Sequence, residues 1–153
     1  MTPHIRLDDL TGCEIQNLLH EHLRDMRAAS PPESVHALDL TGLRQPEVTL
    51  WSAWSGTALM GCGALKQLDA GHGEIKSMRT AEGWRRSGVA QALLTHIVQE
   101  ARRRGYDRLS LETGTQPVFQ AARRLYERFG FVVCAPFDGY NEDPNSVFMT
   151  CRL

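Results

Sequence analysis

The sequence predicts an α+β (α/β) fold in a single domain over residues 1–153, and three observations lead there. An apolar stripe at helical spacing over residues 11–28 precedes a run of short β-rich segments joined by turn signals. The apolar period then returns to that of a helix, and the second half reads strand–helix–strand–helix–strand. With 153 residues, 42% of them hydrophobic and 23% charged, the chain can bury a core without disulfides or a metal staple.

Each element has its own signals. Thr11 and Glu14 fit a capping box, and Ile15, Leu18, Leu19, His22, Leu23 and Met26 continue the helix to about Ala28. Ser30, Pro31 and Pro32 stop it, and residues 33–46 read as a loop or short helix. Val48–Trp54 is β-rich and ends at the turn pair Ser55-Gly56. Leu59–Leu68 is a second strand in which Gly61 and Gly63 mark a bulge or a close backbone approach. Residues 69–73 form a turn, and Glu74–Thr80 a third strand.

The second half opens on a helix carrying Val89, Leu93, Ile97, Val98 and Ala101. Arg102–Arg104 complement its dipole and Gly105 caps it. A strand follows at Leu109–Thr113. A helix spans Pro117–Phe129, with Ala121, Leu125 and Phe129 on one face, Pro117 in its first turn and Gly130 at C′. Strands at Phe131–Cys134 and Val147–Arg152 close the chain, which has no internal repeat.

Composition narrows the function classes. A formal net charge of −1 gives no basic field for nucleic acid or an anionic membrane, and three arginines at a helix C-terminus have a sufficient local reason. Cys13, Cys62, Cys134 and Cys151 form no C-x-x-C pair and read as reduced thiols. The acidic N-terminus is not a signal peptide, and no apolar run approaches the ~20 residues that span a bilayer. The expected location is cytoplasmic.

Chemistry concentrates between Glu74 and Phe131. The strand ending at Thr80 leads through 81–84 into Arg85-Arg86-Ser87-Gly88-Val89-Ala90, where the long helix starts. Unsatisfied N–H groups, the positive dipole end and the small residues Gly88 and Ala90 make that junction a natural anion site; the plainer reading is a strand–loop–helix junction with solvated arginines. It lacks the Gly-Lys-Ser/Thr of a Walker loop and the G-x-G-x-x-G of a dinucleotide fold.

Arg85-x-x-Gly88-x-Ala90 resembles the R/Q-x-x-G-x-G/A motif of the GCN5-related N-acetyltransferase (GNAT) family, and Leu125-Tyr126-x-x-x-Gly130-Phe131 resembles its L-Y-x-x-x-G-F signature, in the same order and spacing. The family resemblance covers residues 74–131 and points to an uncharacterised bacterial-type subgroup. It implies a mixed, mostly antiparallel sheet that splays between strands 74–80 and 107–113 and is flanked by helices. It also implies acetyl-coenzyme A as co-substrate, with no metal. The pyrophosphate would lie on the amides of Arg86, Ser87, Gly88, Val89, Ala90 and Gln91 beside Arg85. The pantetheine arm would run along Met78, Arg79 and Thr80. Many family members carry Asn where this chain has Phe119, so an apolar contact is expected there.

The resemblance implies Tyr126 as the general acid that protonates the departing thiolate; the bland alternative is a helix tyrosine packed on Ala122. It also offers Glu74, eleven residues before Arg85, as a general base, against a strand-start acid that faces solvent or only binds substrate. His72 reads first as a solvated turn histidine, and Trp51 and Trp54 as core. His20 and His22 face different directions on one helix, which argues against a metal pair. Residues 34–39 and 143–149 resemble a bacterial subgroup and are polar enough to border an acceptor cleft.

The expected activity is direct, ternary-complex transfer of an acetyl group to a small-molecule or peptide amine. The competing class is a non-catalytic acyl-coenzyme A sensor on the same fold. Neither nucleic acid nor membrane is an expected partner, and a homodimer stays open.

Overall fold

The computed structural model describes residues 2–153. Seven strands form one sheet: β1 (His4–Leu7), β2 (Val48–Ser55), β3 (Ala58–Gln67), β4 (His72–Thr80), β5 (Arg108–Gly114), β6 (Val132–Val133) and β7 (Ser146–Arg152). Their spatial order is β1-β2-β3-β4-β5-β7-β6. Every neighbouring pair is antiparallel except β4 and β5, which run parallel. The helices are α1 (Cys13–Ala29), α2 (Leu40–Leu43), α3 (Val89–Arg103) and α4 (Gln120–Arg128).

Helices cover both faces of the sheet. Val89, Leu93, Leu94, Ile97 and Ala101 of α3 pack with Leu125 of α4 on Trp51, Leu109, Leu111 and Met149. On the other face, Ile15, Leu18 and Leu19 of α1 pack with Leu43 of α2 on Leu50, Cys62 and Ala64. Each buried aliphatic side chain is worth roughly 1.5–3 kcal/mol, so the two layers clamp the sheet between them.

The start of α1 differs from expectation. No side chain caps it, and Gly12 is its N-cap. The Thr11 hydroxyl instead donates to Asp9 Oδ1 at 2.6 Å, so Asp9 competes successfully for the intended cap. Strand β1 carried no sequence signal; its four residues are mostly exposed and lie at the sheet edge. The Pro117 helix begins as a 3₁₀ turn over Pro117–Phe119, and its buried face is Leu125 and Tyr126 rather than Ala121. Gly105 and Gly130 take φ of 83° and 92° at the helix C-termini, as their C′ positions require.

One irregularity shapes the centre of the molecule. Between Ala64↔Lys76 and Cys62↔Arg79, the two residues Ser77 and Met78 oppose the single Gly63. This β-bulge puts Ser77 at φ 53°, a left-handed conformation costing on the order of 1 kcal/mol. Gly63 permits it: a Cβ there would lie 2.5 Å from Met78 Sδ and 2.9 Å from Ile97 Cδ1.

Candidate active site

Parallel strands β4 and β5 pair at only three positions, His72↔Arg108, Gly73↔Leu109 and Glu74↔Ser110. Beyond Glu74 they part, and the β5-facing backbone of residues 75–80 has no strand partner. A cavity of about 690 Å³ fills the opening. It follows β4 from Glu74 to Thr80 and reaches the loop at 84–91. Its walls also include Tyr126 of α4, Glu112 of β5, His22 of α1 and residues 34–37.

The end at α3 is built from main chain. Arg86 and Gly88 have φ of 61° and 87°, curling the loop so that the helix start faces the cavity. Helix geometry leaves Val89, Ala90 and Gln91 N–H without intrahelical acceptors. A Cβ on Gly88 would meet nothing within 4 Å, so the space before these donors is open. Arg85 and Arg86 line it and form no ion pair among the described residues. The arrangement fits a diphosphate. Arg79, in contrast, commits its guanidinium to Glu21 and Asp25, both at 2.6 Å, and ties β4 to α1. Phe119 lines the cavity and lies over Gly114.

In the middle stand Tyr126, Cys62 and His22. Tyr126 is 6% exposed, with its ring edge-on to Phe131, and burial pushes its phenol well above the usual value. It stays protonated at neutral pH. Cys62 is the one cysteine lining the cavity, among the described residues. Its Sγ donates to the Ser77 carbonyl at 3.3 Å, and burial raises its thiol to about 12, so it is not a nucleophile at neutral pH. His22 is held neutral, its pKa lowered to about 4 by burial and then by the Arg79 charge. Its buried Nδ1 has no hydrogen-bond partner among the described residues.

The end at Glu74 is built from side chains. Glu74 is 2% exposed, and its Oε2 accepts from Lys76 Nζ at 3.1 Å and from the Tyr140 hydroxyl at 2.6 Å. Lys76 also donates to Tyr140 Oη at 2.9 Å, closing a triangle. The His36 ring stands edge-on to Tyr140 at 4.9 Å. Ser34 donates to Asp143 Oδ2 at 2.6 Å, so the two familiar polar segments meet across 109 residues of chain. Glu112 forms no ion pair among the described residues. Burial lifts its carboxyl to about 7, against the lowering pull of the Ser146 hydroxyl and the Lys76 charge.

All thirteen site residues expected from the sequence border this one cavity. Glu74 does not face solvent. His72 is not a solvated turn residue: it opens β4, its Nε2 lies 2.6 Å from Ser110 Oγ, and it packs on Phe137. Trp51 and Trp54 are buried away from the cavity. Sequence reasoning passed over Glu112, Tyr140, Lys76 and the wall position of His22. Glu112 sits at the polar position of an alternating strand, which reads as solvent-facing. Among the described residues, no group of three His, Cys, Asp or Glu side chains is placed to hold a metal ion, and no helix is long and apolar enough to cross a membrane.

Known proteins share this architecture. The family model described as Acetyltransferase (GNAT) family matches residues 15–131. An uncharacterized N-acetyltransferase of Bacillus subtilis (strain 168), YsnE, is 61% identical over 150 residues, covering 98% of this chain and 99% of its own. A Klebsiella pneumoniae structure assigned as an acyl-CoA N-acyltransferase superposes with a TM-score of 0.82 at 30% identity, covering 99% of this chain and 97% of its own. A GNAT family acetyltransferase from Elizabethkingia anophelis, solved with acetyl-CoA bound, gives a TM-score of 0.68 at 18% identity, covering 99% of each chain.

Proposed function

The chain belongs to the GNAT acetyltransferase family and is an acetyltransferase; from that premise we propose that it moves an acetyl group from acetyl-coenzyme A to an amine by direct attack within a ternary complex. The observation that carries this reading is the opening between β4 and β5. It is one cavity that joins a diphosphate-sized main-chain cradle at residues 85–91 to a buried tyrosine and a polar far end.

Bound acetyl-coenzyme A supplies an activated thioester. In this reading the N–H groups of Val89, Ala90 and Gln91, with Arg85 and Arg86, hold its pyrophosphate. The unpaired edge of residues 75–80 receives the pantetheine arm through the main chain of Met78 and Thr80, and Phe119 adds apolar contact. The bulge at Ser77–Met78 turns main chain toward the reacting carbonyl, where N–H groups stabilise the oxyanion. Tyr126 gives its proton to the departing sulfur, since an unpaired thiolate in a closed cleft is costly. Glu74 acts by holding Lys76 and Tyr140 at the acceptor end. Cys62, with its thiol near 12, supports direct transfer over an acetyl-cysteine intermediate.

The test is a panel of amines with acetyl-coenzyme A, followed by free thiol and acetylated product. Wild-type protein should release thiol in step with product. Cofactor binding without thiol release on any amine would instead favour the sensor reading.

A further inference from the structure

We propose that Glu112 is the base that takes the proton from the acceptor, and that the acceptor is an alkylammonium with no carboxylate beside its nitrogen. This rests on the acetyltransfer reading above and names the substrate class of the same site.

Three observations carry it. First, Glu112 lies on β5 two residues past Ser110, the last residue paired to β4, so its side chain borders the opening where the strands have parted. Second, the other cavity carboxylate near it is occupied: Glu74 Oε2 already accepts from Lys76 and Tyr140. The groups facing Glu112 are Glu74 and Lys76 from β4, Tyr140 and Asp143 from the 134–145 segment, and Ser146 of β7. Third, His22, which also borders the cavity, feels the charges of Arg79 and Asp25 and is absent from the groups that face Glu112, so it does not compete for the acceptor's proton.

The charge balance sets the class. At this end the cavity walls carry Glu74 and Glu112, and the one lysine or arginine among them, Lys76, is held by Glu74 and Tyr140. Arg123 of α4 is spent on the Gly114 and Gln116 carbonyls. Among the described residues of this cavity no free cation faces Glu112 to receive a carboxylate, Lys66 lying in the adjoining cleft, whereas an ammonium meets a carboxylate that half-burial keeps ready to accept a proton near neutral pH.

The protons then balance. The ammonium gives one proton to Glu112, and the freed lone pair attacks the thioester carbonyl carbon. As the C–N bond is completed and the C–S bond breaks, the second N–H proton leaves and makes good the one Tyr126 hands to sulfur. Glu112 returns its proton to solvent, for a net release of one proton per amide formed.

The test uses butylamine and norvaline, which is butylamine with a carboxylate on the carbon bearing nitrogen. Thiol release is measured from pH 6 to 10 with wild type, Glu112→Gln and Glu112→Asp. Wild-type kcat/KM for butylamine should show a limb that rises with pH through about 7, as Glu112 loses its proton. Glu112→Gln should remove the limb and cost ~100-fold near pH 7.5, the low end for a general base. The loss should shrink toward pH 10, where more amine is already neutral, while Glu112→Asp keeps the limb at a lower rate. Norvaline should be used at least ~10-fold less well, as expected for an uncompensated like charge. A second readout needs no turnover: the ¹³C signal of the Glu112 carboxyl should titrate near 7 and shift when butylammonium is added at pH 8. Transfer that Glu112→Gln leaves intact, norvaline used as well as butylamine, or a carboxyl that titrates in the ordinary range each overturns the proposal. Failure of the acetyltransfer reading looks different, because wild type then releases no thiol with any amine.

Discussion

The two ends of the cavity are made of different material. The α3 end comes from one continuous stretch, residues 78–91, and presents main-chain N–H groups, a helix start and three left-handed residues, Gly83, Arg86 and Gly88. The Glu74 end is assembled from four segments far apart in sequence: 34–36, 74–76, 112 and 140–145. It works through side chains that hold one another. A contiguous, backbone-built site can be read as a motif and tolerates change in its side chains. A site built from distant side chains leaves no motif, and it is where members of one family can differ in what they accept.

The largest expected effect tests the main-chain end. Gly88→Glu puts bulk and negative charge before the helix amides, at a residue whose φ of 87° already disfavours a side chain. Acetyl-coenzyme A affinity by calorimetry should fall by ~10³-fold. Side-chain changes at the other end, such as Glu112→Gln, should leave that affinity within about threefold. If both lower it alike, the division between the ends is wrong.

Tyr126→Phe sharpens the boundary. It should slow kcat by ~100-fold, the low end for a general acid because thiolate is a good leaving group, with cofactor affinity nearly intact. An unchanged kcat, with product release shown to be fast, would return Tyr126 to core packing.

Lys76→Met asks whether the Glu74 end is also structural. Lys76 and Glu74 are 8% and 2% exposed, so removing the cation leaves a buried carboxylate with only Tyr140. Stability by denaturant unfolding should drop by about 3 kcal/mol at neutral pH.

Smaller effects come from the two perturbed groups. Folded His22 has its pKa lowered to about 4 against 6.5 unfolded, so the unfolded chain binds more protons between those values. Stability from this group is therefore full above about 6.5 and lost as pH falls toward 4, by on the order of 3 kcal/mol. Glu112 has the opposite sign: raised to about 7 from 4.5, it costs stability as pH rises through that window. The two partly cancel in wild type. His22→Gln should flatten the acid loss, and Glu112→Gln should steepen it, in thermal unfolding followed from pH 4 to 8. Least of all, Ser34→Ala frees Asp143 Oδ2, while Oδ1 keeps the Asn145 N–H, and should raise the acceptor KM by only about 2–5-fold.

Much of the fold was legible because period and punctuation agree along the chain. The stripes of α1 and α3, the turn at Ser55-Gly56 and the caps at Gly105 and Gly130 are local signals. Gly61 and Gly63 announced a bulge or close approach, and both occur there: a Cβ on Gly61 would sit 2.6 Å from the Arg79 carbonyl. What failed was set by competition or distance. Asp9 took the Thr11 hydroxyl from the expected cap, and β1 exists because β2 offers it an edge. Tyr140 reaches Glu74 across 66 residues, and Glu112 alternates like a surface residue in a strand whose neighbour has turned away. Nothing local in the sequence records those encounters.

The central claim is direct transfer within one cavity, and a rapid-mixing measurement of free thiol tests it most closely. Mixed with acetyl-coenzyme A alone, the protein should release no burst of thiol; mixed with acetyl-coenzyme A and butylamine, it should release thiol and N-butylacetamide one for one at the same rate. A burst of one thiol per protein before any amine is added would mean an acetylated enzyme and contradict direct transfer.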